Sequence, residues 1–120
     1  MTREQTTGQH GEALAVAYLE KKGYEIVARN WHCQYGEIDI VSRGESGLVF
    51  IEVKTRHAPT VDSALTAITG KKRDKLIKSA YSYVSIHDLD DEHWRIDAIG
   101  IALNKQRKPI IAHVEDALDW

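Results

Sequence analysis

Hydrophobic positions along this chain follow two rhythms, one of every third or fourth residue and one of every second. The helical rhythm comes first. Ala13, Leu14, Ala17 and Tyr18 form one stripe, widened by Val16 and Leu19, on a helix that Thr6 or Thr7 would cap and that runs to about Lys22. Gly23 supplies a C-terminal stop. Strand rhythm follows, with Tyr24, Ile26 and Ala28 alternating against Glu25, Val27 and Arg29 as far as Trp31. A connection through His32 and Cys33 leads to two β-prone runs, Gly36–Val41 and Leu48–Arg56, around the turn residues Arg43-Gly44-Glu45-Ser46-Gly47. After a loop at His57–Thr60 and a helical turn within 61–68, Thr69 would cap a second long helix burying Leu76, Ile77, Ala80, Tyr81 and Val84. Strands over Trp94–Leu103 and Ile110–Val114, joined by a basic loop, end the pattern. The order helix, three strands, helix, two strands predicts a single α/β domain over residues 1–120, with a mixed β-sheet flanked by helices.

The central hairpin carries charge where strands usually carry none. Alternation places Ile38 and Ile40, with Val49, Ile51 and Val53, on one apolar face. Glu37, Asp39 and Val41, with Leu48, Phe50, Glu52 and Lys54, share the other, and its ionic half lies at one end. If Val41 sits opposite Leu48, Asp39 faces Phe50 and lies diagonal to Glu52, roughly 7–8 Å away. With a tighter turn Asp39 faces Glu52 directly. Both registers keep Asp39, Glu52 and Lys54 on one face, and a one-residue slip would expose the isoleucines. Two carboxylates that close repel unless one is protonated or a cation stands between them, and a hard ion such as Mg²⁺ suits the pair. Asp39 followed thirteen positions later by Glu52-Val53-Lys54 is an arrangement used for metal-assisted phosphodiester cleavage. The tripeptide alone says little, since Glu20-Lys21-Lys22 has the same form at the end of a helix. Its place in an apolar strand beside Asp39 gives it weight, with a structural ion-pair cluster as the competing explanation.

Composition narrows the field. A chain of 120 residues, 42% hydrophobic, suits one domain with one core. A net charge of −2 excludes a strongly basic, histone-like binder but not a nucleic-acid enzyme with a local patch. Such a patch stands at the start of the second long helix, where Lys71, Lys72, Arg73, Lys75 and Lys78 face Asp74 alone, a net of +4 over eight residues. It is either a phosphate-contacting surface or a solvated helix face. Glu12 lies above one flank of the first helix's apolar stripe, directed at the sheet or set in the first turn to suit the helix dipole. Gly8 and Gly11 suit a close backbone approach, to a phosphate for example. Asp97, an odd charge in a strand, has Arg95 two positions away for an ion pair. Cys33 is the only cysteine, and none of the six histidines pairs at a zinc-ligand interval. The polar start and the lack of a long apolar run point to a cytoplasmic protein without a membrane partner.

Gly8-Gln9-His10-Gly11-Glu12-Ala13-Leu14-Ala15, Tyr18-Leu19, Gly23-Tyr24, Arg29-Asn30-Trp31, Gly36-Glu37-Ile38-Asp39, Phe50-Ile51-Glu52-Val53-Lys54-Thr55-Arg56 and Arg95-Ile96-Asp97 together resemble the bacterial YraN family over nearly the whole chain. His32 stands where members often carry a basic residue, and the stretch after Arg56 lacks an expected glycine. The resemblance implies a restriction-endonuclease-like fold, related to archaeal Holliday-junction resolvases, with Glu12, Asp39, Glu52 and Lys54 in the active-site positions. The resulting expectation is a nuclease in which Asp39, Glu52 and the Val53 carbonyl hold Mg²⁺ or Mn²⁺, while Lys71, Lys72, Arg73 and Arg56 contact nucleic acid, DNA before RNA. A homodimer would suit a symmetric junction. The alternatives are a non-catalytic nucleic-acid-binding module that keeps the fold and a protein-interaction domain.

Overall fold

The first helix, α1 (Arg3–Lys21), begins earlier than Thr6 or Thr7 would have it. Thr2 is the cap. Its hydroxyl accepts the Gln5 N–H at 3.1 Å and the Gln5 side chain accepts the Thr2 N–H at 2.9 Å, a reciprocal capping box. At the other end Gly23 takes φ 94, the Tyr24 N–H returns to the Leu19 carbonyl and the Gly23 N–H to that of Glu20. This is a Schellman stop, and it folds Tyr24 back into the same cluster as Leu19.

The computed structural model describes residues 2–67, 70–105 and 107–117; nothing is described of the side chains of residues 70 and 71, and the expected cap Thr69 lies outside the described residues. After α1 come β1 (Glu25–Cys33), β2 (Gly36–Gly44), β3 (Gly47–His57), α2 (Asp62–Leu65), α3 (Gly70–Ile86), β4 (Trp94–Asn104) and β5 (Arg107–Val114). The strands form one sheet in chain order, antiparallel except for β3 against β4. That parallel pair needs a crossover, and α2 with α3 provides it. β4 lies near the middle, buried from Ile96 to Ala102, which explains its unbroken apolar run. The result is the expected α/β arrangement, a mixed sheet with a helix on each face. No helix among the described residues is long and apolar enough to cross a membrane.

Two cores lie on the two faces. Under α3, Ile38, Val41, Leu48, Phe50 and Ile96 meet Leu76, Ala80, Tyr83 and Val84. Under α1, Ile40, Val49, Ile51, Val53, Ile99 and Ile101 meet Ala15 and Leu19. Ile38 therefore does not share a face with Ile40, as strict alternation requires; it packs with Val41. The cause lies next door. β1 pairs Arg29 with Ile40 and Trp31 with Ile38, so Asn30 stands opposite Asp39, and Asn30 has the left-handed φ of 52. That twist turns both strands over within one residue. The register beyond is the one of the two expected that would set Asp39 opposite Glu52, with Val41 opposite Phe50 and Gly44 opposite Gly47.

The helix stripes also shift. On α1 the buried residues are Gly11, Ala15 and Leu19, while Ala13 and Ala17 face solvent. On α3, Tyr83 is buried and Tyr81 is exposed. Gly11 has its own reason to be small: a Cβ there would run into the Thr55 hydroxyl on β3. The close approach expected at Gly11 is thus to the sheet. Gly11→Ala should cost about 1–3 kcal/mol of stability despite alanine's better helix propensity, as a lowered denaturant midpoint would show.

Asp97 forms the expected ion pair with Arg95 and more. It is fully buried and accepts from Arg95 Nε at 2.9 Å, Arg95 Nη2 at 3.2 Å and the Asp116 N–H at 2.9 Å. His113 Nε2 lies 2.7 Å from its other side, and the His113 ring meets Tyr18 of α1 at 3.3 Å. One carboxylate therefore ties β4 to β5 and the segment after it, and through His113 to α1.

Candidate metal and nucleic-acid site

Where β2 and β3 part, a side chain takes over from the backbone ladder. The paired residues end at Ile40 with Ile51. One position beyond, Asp39 Oδ2 accepts the Val53 N–H at 2.8 Å. On a strand the N–H and C=O of one residue face the same neighbour, so the Val53 carbonyl faces this gap too. Asp39, Glu52 and Lys54 line a cavity of about 210 Å³ with Gly36, Glu37, Lys72, Lys75 and Leu76. The strands thus bring Asp39, Glu52 and Lys54 to one cavity, and α3 closes it with two lysines.

The acids crowd one another. Burial, followed by the nearby Glu52 carboxylate, pushes the Asp39 carboxyl up to about 8, against the stabilising Val53 N–H. Glu12 is also raised, first by burial and then by Glu37. It reaches the group from the α1 side through Asn30, whose amide, turned to donate, lies 2.8 Å from both Glu12 Oε1 and Glu37 Oε1. Asn30 therefore does two jobs: it reverses the strand and holds two carboxylates. Among the described residues no three histidine, cysteine or acidic side chains stand close enough to cage a metal ion. The side-chain donors at the gap are Asp39 and Glu52, with Glu12 behind them.

Lys54 Nζ lies 3.3 Å from Glu52 Oε1, and both side chains are mostly buried. Burial opposes the Lys54 charge, but its hydrogen bond with Lys72 and the Glu52 carboxylate outweigh that, so its pKa is raised. Lys72 is lowered, first by the same hydrogen bond to Lys54 and then by burial. The two amines stand against each other, so each opposes the other's charge, and the Glu52 carboxylate favours that of Lys54.

The expected nucleic-acid residues are not all gathered here. Lys72 lines the acidic cavity, whereas Arg56 lines a second one, of about 580 Å³, with Arg3, Thr7, Glu12 and His57. Arg73 is exposed and lines neither, and the Lys71 side chain lies outside the described residues. Glu37, from the ionic face of the hairpin, and Lys75, from the basic patch, line the cavity as well, and Asn30 joins Glu37 to Glu12, a role that the sequence does not assign to it. Asn30 left one trace, since asparagine tolerates a left-handed backbone better than most residues. His32 forms an exposed contact of 3.8 Å with Glu37, and Cys33 donates to Ser79 Oγ at 3.4 Å.

A model of the Uncharacterised protein family UPF0102 matches residues 11–101, a span that includes Glu12, Asp39, Glu52 and Lys54. A UPF0102 protein of Chloroflexus aurantiacus is 45% identical over 114 residues, covering 94% of this chain and 92% of the relative. One of Roseiflexus castenholzii is 38% identical over 119 residues, covering 98% and 96%. Among solved structures, that of Pyrococcus furiosus SfsA in complex with Ca²⁺ matches with a TM-score of 0.39 and 16% identity, over 92% of this chain and 63% of that one. On the family model and these relatives, the chain belongs to UPF0102, the YraN family that its motifs resemble.

Proposed function

We propose that this protein is a metal-dependent nuclease that hydrolyses phosphodiester bonds in DNA, with branched or junction DNA among its substrates. The observation that carries the reading is Asp39 held against Glu52 beside charged Lys54, its carboxyl raised to about 8. Such a pair stays doubly ionised only when positive charge stands between its members. Asp39, Glu52 and the Val53 carbonyl are all oxygen donors, which suits Mg²⁺ or Mn²⁺, and they leave positions for water and phosphate. When bound, the ion would polarise the phosphate and lower the pKa of a water. Lys54, kept charged, orients the attacking water and offsets negative charge growing on the phosphate oxygens. Glu12, fixed through Asn30, steadies the site from the α1 side. Lys72 and Lys75, with Arg56, Arg73 and Lys71, grip flanking phosphates.

The test is the purified chain with Mn²⁺ and branched, flapped and duplex DNA. Cleavage is expected in Mn²⁺ and not in chelator, and Glu52→Ala should slow single-turnover cleavage about a thousandfold, the rate equivalent of several kcal/mol. If none of the three DNAs is cut, or if Glu52→Ala cuts as fast as the parent, catalysis does not reside here. DNA binding that weakens with salt and survives Glu52→Ala would then identify a binding module.

A further inference from the structure

Beyond the acidic cavity, α3 leads to a surface that the reading above does not use. A separate cavity, of about 440 Å³, lies along the C-terminal half of α3, lined by Gln34, Tyr35, Lys78, Tyr81, Ser82 and Ser85 together with Ile86. Its two tyrosines are unusually open, Tyr35 at 41% and Tyr81 at 58% exposed. Tyr81 is braced edge-on by Trp94, ring centres 5.1 Å apart at 86°, which fixes the ring while leaving it in solvent. Lys78 Nζ stands 5.9 Å from the Tyr35 ring centre. The two cavities follow one another along the chain: Gly36 lines the acidic one and its neighbour in sequence, Tyr35, the aromatic one. Lys72 and Lys75 of the first and Lys78 of the second recur every third residue of α3, so a row of cations joins carboxylates to tyrosines. Lys72 to Tyr81 spans roughly 13 Å along the axis.

We infer that this strip binds an unpaired stretch of nucleic acid leading out of the acidic cavity, its bases stacked on Tyr35 and Tyr81 and its phosphates against Lys75 and Lys78. The inference rests on the nuclease reading for its starting point and adds a substrate class, nucleic acid with unpaired nucleotides next to the reacting phosphate. The charge pattern selects this occupant over an apolar protein segment, because a lysine row beside open aromatic rings matches alternating phosphates and bases. An intact duplex hides its base faces in its own stack, whereas unpaired bases offer theirs.

Fluorescence anisotropy in chelator, which prevents cleavage, tests this with a labelled single-stranded oligonucleotide and the matching blunt duplex. The parent should prefer the single strand. Tyr81→Ala and Tyr35→Ala should each weaken single-strand binding about tenfold, within the range for loss of one stacked base, and change duplex binding less than twofold. Tyr81→Trp should restore binding, because stacking needs a ring and not a hydroxyl. Circular dichroism melting of each variant shows that the fold is kept. Equal single-strand binding by parent and alanine variants overturns the inference, as does loss of self-association in the variants with oligonucleotide binding unchanged, which would make the strip a contact between copies. The outcomes separate the two readings. Stacking without cleavage leaves the strip and removes the nuclease, and cleavage that ignores Tyr35 and Tyr81 does the reverse.

Discussion

Asp39→Asn should give a protein that melts higher than its parent at pH 8.5 and no longer cuts. The folded Asp39 carboxyl titrates at about 8 against an ordinary value of 3.8, with burial and then Glu52 as the main causes. Between those values the folded form holds a proton that the unfolded chain releases. Its contribution to stability is therefore complete below about pH 4 and lost as pH rises through about 8. Asparagine keeps an oxygen for the Val53 N–H and never ionises. The variant's advantage should be near zero at pH 4 and grow to on the order of 2 kcal/mol at pH 8.5, roughly 8 °C in Tm. Melting curves of both proteins at the two pH values, in chelator, measure it. A variant no more stable than the parent at pH 8.5 would remove the crowding on which the metal site is built. Under the proposed function, Mn²⁺ should raise the Tm of the parent and not of the variant. Cleavage should fall about a thousandfold, since a divalent ion contributes several kcal/mol to such a step.

Asp97→Ala should destabilise the fold by about 3–5 kcal/mol, a large share of a domain's total. The substitution leaves the Arg95 guanidinium and the His113 ring without the carboxylate that both contact, at a position with no solvent exposure. The pH behaviour runs opposite to that of Asp39. Burial opposes the Asp97 charge, but hydrogen bonds from His113, Arg95 and the Asp116 N–H outweigh it and hold the carboxyl below its ordinary value. That stability is present above about pH 4 and lost as pH falls through the lowered value. Chemical denaturation at pH 7 and pH 3 should show a large gap between parent and variant at the first pH and a smaller one at the second. A cost under 1 kcal/mol at pH 7 would mean that water reaches this cluster. With Asp39 penalising alkaline conditions and Asp97 acid ones, the parent in chelator should be most stable in mildly acidic solution.

Legibility in the sequence followed how locally each feature is determined. The hairpin of β2 and β3, the gathering of Asp39, Glu52 and Lys54 on it and the pairing of Arg95 with Asp97 depend on residues close in sequence, and apart from Ile38 alternation placed them. The helix stripes were harder. Ala13 and Ala17 are small enough to sit on either face of α1, so their apolar character says little about which way the helix turns. Tyr81 and Tyr83 flank the same edge of α3, and only the packing of Tyr83 on Phe50 and Trp31 separates them. The reversal at Ile38 was out of reach for another reason. It depends on Asn30, nine residues from Asp39 and on another strand, adopting a backbone state that alternation assumes away. Lys75 joins the carboxylates through the docking of α3, a product of tertiary structure.

Asp39 is a rung of the sheet as well as a candidate ligand, because Val53 has an amide hydrogen that its carboxylate accepts. A descendant that abandoned the chemistry would still need an oxygen there, and selection for folding alone could preserve the aspartate or accept asparagine. Glu52 carries no comparable backbone duty among the described bonds; its partner is the Lys54 ammonium. Across homologues, then, an aspartate at position 39 is poor testimony about turnover, and decay of the Glu52–Lys54 couple is the better record of a retired enzyme.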